Sequence, residues 1–184
     1  MDSFKVKTKE ELLGLINLII QHRGNNADLN FIDVSEITDM SFLFFHSDFN
    51  GDISRWDVSK VEDMTGMFSG SVFNGDISMW NVSNVKCMYS IFSGSVFNGD
   101  ISRWDVSNVK DMTGMFTNSK FNGDISAWDV SNVENMNWMF QSSNFNGDIS
   151  RWDVSKVKKM FLMFKGSKFT GDISNWNIHP DCDR

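Results

Sequence analysis

The apolar positions change their period along the chain. Leu12, Leu13, Ile16, Ile19 and Ile20 fall at three- and four-residue steps. They follow the capping box Thr8-Lys-Glu-Glu11 and precede Gly24-Asn25-Asn26. This pattern predicts one amphipathic helix within residues 1–28. Beyond it the pattern repeats every 24 residues: Trp56, Trp80, Trp104, Trp128, Trp152 and Trp176 keep that step, as do the Phe49, Phe73, Phe97 row and the Met64, Met88, Met112 row. A fixed self-similarity of this length predicts a repeat solenoid, in which each coil buries its apolar face only against its neighbours.

Within one coil, Ser54, Trp56 and Val58 share one side while Arg55 and Asp57 take the other, which predicts a short strand. Val61, Met64, Met67 and Phe68 then fall at helical steps behind Ser59, which predicts one or two turns of helix. Ser69-Gly70-Ser71 reads as a loop and Asn74-Gly75-Asp76 as a turn into the next strand. The expected organisation is one domain: a helical cap at 1–28, about six coils at 29–178 and a polar tail at 179–184. Phe42 and Phe45, whose counterparts are Gly66 and Ser69, are expected to pack beneath the cap helix. The opposite edge lacks a comparable cap, which suits either a monomer or an edge-to-edge oligomer. The Asn50, Asn74, Asn98 row and the Ser47, Ser71, Ser95 row are expected to bond up and down the stack, satisfying buried polar groups at the corners.

Composition narrows the function classes. The chain has 17 Phe, 12 Met and 7 Trp among 184 residues, enough for a substantial core. A net charge of −7 argues against a phosphate-backbone partner, so no nucleic acid is expected. No stretch approaches membrane-span length, and the Met-Asp-Ser-Phe-Lys-Val start lacks an apolar signal core, so membrane insertion is not expected. A cytoplasmic location and a removed signal both fit that start. Cys87 stands where other coils hold Asp63, Asp111, Asn135 and Lys159, and Cys182 lies in the polar tail, which argues against a disulfide framework.

Catalysis finds no constellation to carry it. His22, His46 and His179 are far apart in register, and the sequence holds no phosphate loop, metal-spaced His/Cys set or nucleophile motif. No cofactor is expected. The Asp52, Asp76, Asp100, Asp124, Asp148 and Asp172 row faintly suggests calcium-binding loops, but six like charges in line are better read as carboxylates capping their own turns.

Two strings carry a family likeness: Phe97-Asn-Gly-Asp-Ile-Ser-Arg-Trp-Asp-Val-Ser-Asn-Val-Lys-Asp-Met-Thr-Gly-Met-Phe116 and Asp33-Val-Ser-Glu-Ile-Thr-Asp-Met-Ser41. They resemble the BspA-like leucine-rich-repeat surface proteins, and more closely the group first noted in mycoplasmas as a bacterial domain of unknown function. The likeness covers about residues 7–178, including the Leu-Asn-x-Ile-Asp-x-Ser motif at 29–35. It implies a leucine-rich-repeat-like solenoid with one short strand and one short helical turn per coil. It also implies display on a bacterial surface or secretion, and adhesion or host-protein binding without catalytic residues.

Specificity is then expected at positions where the coils differ. One candidate is the outer row: Arg55 and Asp57, Met79 and Asn81, Arg103 and Asp105, Asp129, then Arg151 and Asp153. The other is an apolar patch of Trp138, Phe161 and Leu162, at positions held elsewhere by smaller residues. The tryptophan row, by contrast, is expected to be core. The expected partner is a protein.

Overall fold

A computed structural model of the chain describes residues 4–184, so the first three residues of the expected cap lie outside the described residues. The cap has two parts. Strand β1 (Phe4–Lys5) leads into helix α1 (Lys9–Arg23), and strand β2 (Ile32–Asp33) follows. The capping box forms: Thr8 Oγ1 accepts the Glu11 N–H at 3.2 Å, and the Glu11 carboxylate accepts the N–H groups of Lys7 and Thr8. Leu12, Ile16 and Ile19 are buried, whereas Leu13 turns to solvent. Gly24 closes the helix, its N–H donating to Ile20 O at 2.8 Å. β1 pairs in parallel with β2, Phe4 opposite Ile32, so a strand as well as a helix covers the first layer.

Behind the cap, residues 24 apart lie against one another. Layer one holds residues 28–51, and each later layer begins 24 residues further on. Parallel bridges link Asp39, Asp63, Cys87, Asp111, Asn135, Lys159 and Asp183 in one continuous line. Aromatic columns run through the interior at the same step. Phe49 and Phe73 stack at 6.2 Å and Phe68 and Phe92 at 5.8 Å, while Trp56 and Trp80 stack at 6.5 Å. Each indole Nε1 donates to a carbonyl of the layer before, as Trp80 does to Ile53 O at 3.2 Å. The tryptophans are buried, as the sequence pattern indicated. A fully buried Phe or Trp contributes roughly 1.5–3 kcal/mol, so these columns dominate the stability.

The local elements differ from the sequence expectation. Residues 53–58 keep the expected alternation, with Trp56 and Val58 inward and Arg55 and Asp57 outward, but they form tight turns instead of a strand. Trp56 N–H returns to Ile53 O at 3.1 Å, and Val61 N–H to Val58 O at 2.9 Å. Those amides close local rings and have nothing left for a ladder.

The expected helical turn is likewise a chain of β-turns. Met67, Ser69 and Ser71 N–H groups return to Met64, Gly66 and Phe68 carbonyls, while Met64, Gly66, Phe68 and Gly70 donate to Cys87, Tyr89, Ile91 and Ser93 of the next layer. Gly66 and Gly70 have φ of 58° and 66°. A left-handed residue at the third position of a turn is the type II signature, and it stops a right-handed helix from propagating.

The asparagine row bonds between layers as expected but is not buried, and the serine row departs from expectation. The asparagines are exposed, and each Oδ1 accepts the backbone N–H of its counterpart one layer on, as Asn50 does from Asn74 at 2.8 Å. Ser71, Ser95, Ser119 and Ser143 are buried, but their hydroxyls do not bond between layers; Ser95 Oγ accepts the Phe97 N–H two residues later, at 2.9 Å, and it is the serine carbonyls that accept from the next layer.

The two ends close differently. The polar tail keeps the repeat register: Met160 N–H donates to Asp183 O at 2.7 Å, and Asp183 N–H to Lys158 O at 3.0 Å. Past that point the stack is open, and the N–H groups of Leu162, Phe164 and Gly166 have no acceptor among the described residues. Phe42 and Phe45 do not pack beneath the helix. They are 51% and 48% exposed, and the Phe42 ring lies over Gly66, where an added Cβ would approach it to 2.6 Å.

Candidate interaction faces

The outer row is built by the turns at 53–58. Burial of Trp56 and Val58 forces the intervening side chains outward, and the same holds in every layer. Arg55, Arg103 and Arg151 are exposed, and none of them enters an ion pair among the described residues. Met79, which interrupts the arginines, is 74% exposed. The acidic and amide members have another task. Asp57, Asn81, Asp105, Asp129 and Asp153 each accept the backbone N–H of the serine two residues on, at 3.0–3.2 Å. Side-chain and then backbone hydrogen bonds from those serines hold Asp57, Asp129 and Asp153 below the usual carboxylate range. The row therefore separates into turn-forming carboxylates and uncommitted guanidiniums.

The second face lies on the β-turns at 64–71 and their equivalents. Trp138 and Phe161 meet edge to face with ring centres 6.3 Å apart, 38% and 40% exposed, and Leu162 beside them is half-buried. All three members of the expected patch are thus brought together. The Trp138 backbone is well anchored: its N–H donates to Phe161 O at 3.0 Å, and its carbonyl accepts Thr117 Oγ1 at 2.7 Å. A shallow cleft of about 180 Å³ runs beside it, lined by Tyr89, Ser90, Gly114, Thr117 and Gln141.

The conformation of this patch was not foreseen from the sequence. Trp138 and Leu162 have φ of 55° and 53°, and Phe42 in layer one has 57°. Gly66 and Gly114 occupy the same position in other layers. A bulky residue held left-handed costs about 1–2 kcal/mol relative to glycine. The signal was present in the glycines at 66, 70, 94, 114 and 166, which punctuate an apolar pattern that otherwise looks helical.

The aspartates after Asn-Gly form Asx turns. Asp76, Asp100, Asp124, Asp148 and Asp172 each accept the backbone N–H of the serine two residues on at 2.9 Å, which with the serine hydroxyl lowers their carboxyl pKa. Among the described residues, no three His, Cys, Asp or Glu side chains converge as a metal site would require. His22, His46 and His179 stay apart on α1, on the layer-one turn and on the tail.

Bridges and aromatic columns at a constant 24-residue step define a tandem-repeat protein. Residues 15–120 and again 94–183 match the family described as Mycoplasma protein of unknown function, DUF285, and the chain belongs to that family. The two matched stretches overlap across 94–120, as a periodic chain allows. No curated protein and no solved structure matches the chain.

Proposed function

We propose that the protein is a non-catalytic recognition module, a solenoid of the bacterial leucine-rich-repeat type that binds a protein partner through its outer row. The observation that carries this reading is the set of exposed, unpaired guanidiniums of Arg55, Arg103 and Arg151, flanking exposed Met79. Arginine and methionine recur at protein interfaces because one offers a planar donor fork and the other an adaptable apolar surface. Two layers separate successive arginines, about 10 Å at the usual layer spacing, so an extended acidic segment could meet all three. The likeness to BspA-like proteins supports adhesion as the setting.

The test is capture by the immobilised chain from bacterial and host surface fractions, with and without Arg55→Ala, Arg103→Ala and Arg151→Ala together. The triple variant should melt within about 1 °C of the parent, since exposed sites away from packing change stability little. Its saturable capture should fall at least about tenfold. Equal capture by both chains would remove the outer row as the binding surface.

A second reading, assembly through the open edge, is favoured by the unanswered N–H groups of Leu162, Phe164 and Gly166. It requires species that grow beyond dimers with concentration and that Ile173→Lys suppresses in light scattering.

A further inference from the structure

The turn face is polarised along the stack. On the turns equivalent to 64–71 and the residue that follows them, layer one carries Asp48 and no lysine or arginine, whereas layer six carries Lys165 and Lys168 and no carboxylate. On the exposed row that passes through Val72, layer one places Asp48 and layer six places Lys168; on the bridge row layer six places Lys159, while Asp39 of layer one is paired with Lys9 of the cap at 3.2 Å. The apolar groups follow the same division. In the row through Gly66, Phe42 stands at the acidic end, Trp138 and Leu162 at the basic end, and Gly66, Ser90 and Gly114 lie between; Val72 and Tyr89 are exposed in the middle layers on neighbouring rows.

We propose that two copies of this chain pair face to face and antiparallel across these turns. The two-fold axis would lie in the interface, perpendicular to the stack. Such an axis reverses layer order and keeps each row opposite itself, so layer one meets layer six, two meets five and three meets four. Asp48 then faces Lys168 of the second copy twice over. Phe45 faces the Lys165 ammonium of the second copy, a cation–π arrangement. The Phe42 ring, lying over Gly66, meets Trp138 and Leu162 of the second copy, and in the same row Ser90 of one copy faces Gly114 of the other. A parallel pair would instead set layer one on layer one and layer six on layer six, bringing Asp48 toward Asp48 and Lys168 toward Lys168 of the second copy, so charge favours the antiparallel one.

The left-handed backbone of Trp138 and Leu162 fits this role. Their bulk strains the free chain and gains its return only when a second surface covers it. Six layers at about 4.8 Å make a face roughly 29 Å long; at roughly 15 Å wide, two copies bury roughly 900 Å², the size of a weak, reversible interface. The arginine row takes no part in it.

Sedimentation velocity on the full chain from about 10 to about 500 µM, the range suited to an interface of that size, tests the proposal. The parent should show a monomer–dimer equilibrium that weakens as ionic strength rises from about 0.05 to about 0.5 M. Asp48→Lys alone and Lys168→Asp alone should each weaken it by about tenfold or more, because each reverses two contacts per dimer. Mixing the two variants should restore the dimer, since both contacts then join opposite charges again; this also shows that both variants are folded. Trp138→Gly should weaken the dimer while raising the melting temperature. A chain that stays monomeric throughout, charge variants that dimerise like the parent, or a mixture that fails to recover would each overturn the proposal. Growth beyond dimers that ignores these substitutions would overturn it in favour of the open edge.

Discussion

The column of tryptophans and the row of left-handed turn residues are spaced identically, yet they obey opposite rules. From Trp56 to Trp176 the same side chain recurs at every step, each indole bonded to a carbonyl of the layer before, with Trp56 stacked on Trp80 and Trp152 on Trp176. From Phe42 to Leu162 the row reads Phe, Gly, Ser, Gly, Trp, Leu. Interior neighbours constrain the first row from both sides, so any change leaves a cavity or an unmet carbonyl acceptor. The second row faces outward, and only its backbone is fixed. Uniformity here reports burial and stacking, and variation reports where the scaffold leaves a choice.

Substitutions can break or sharpen that contrast, beginning with the interior. Trp104→Ala should cost on the order of 3–5 kcal/mol, read by chemical denaturation, because it opens a cavity beside the stacked Phe92 ring and abandons the Nε1 bond to Ile77 O. If Trp104→Ala proved no worse than an exposed substitution, the interior column would lose its structural role.

On the turn row the sign depends on the residue removed. Gly70→Val should cost about 2 kcal/mol or more, since φ is 66° and the new side chain would collide with the His46 imidazole. Trp138→Gly should instead stabilise the monomer by about 1 kcal/mol, through relief of the left-handed strain. A loss of stability there would mean that packing against Phe161 outweighs the backbone.

The carboxylate rows add a pH dependence. Hydrogen bonds from the serine N–H and hydroxyl groups lower the folded pKa of Asp76, Asp100, Asp124, Asp148 and Asp172, so their contribution is complete above the unfolded value of about 3.9 and is lost as pH falls through the lower folded values. Melting temperature should therefore fall as pH drops below about 4, and Asp100→Asn should blunt that fall only slightly, because five similar turns remain, that of Asp52 included. The smallest effect belongs to the ion pairs between layers. Lys86 and Glu62 approach to 2.7 Å but are more than half exposed, so Lys86→Ala should cost no more than about 0.5 kcal/mol, and less in high salt.

Much of the architecture was legible before any coordinates. The 24-residue step, the inward tryptophans, the capping box at Thr8 and the grouping of Trp138, Phe161 and Leu162 follow from spacing alone, because equivalent positions in a periodic chain must be stacked or exposed together. The secondary structure inside a layer was less legible. Alternation at 53–58 suggested a strand and three-four spacing at 61–68 suggested a helix, yet both are turns. Side-chain periodicity reports which way a residue points; it does not report where its amide donates.

The sequence by itself determined the repeat length, the identity of the core columns and the positions free to vary, since these depend only on which residues recur. Tertiary structure decided the rest. Alternate amides of each turn donate to the next layer, leaving no full set for a helix, and that pairing sets a left-handed backbone at residues 42, 138 and 162. The same stacking takes carboxylates and lysines more than a hundred residues apart and orders them by layer along one face. Charge order along that face exists only once the layers are stacked, because Coulomb interaction acts through distance in space and not through separation along the chain.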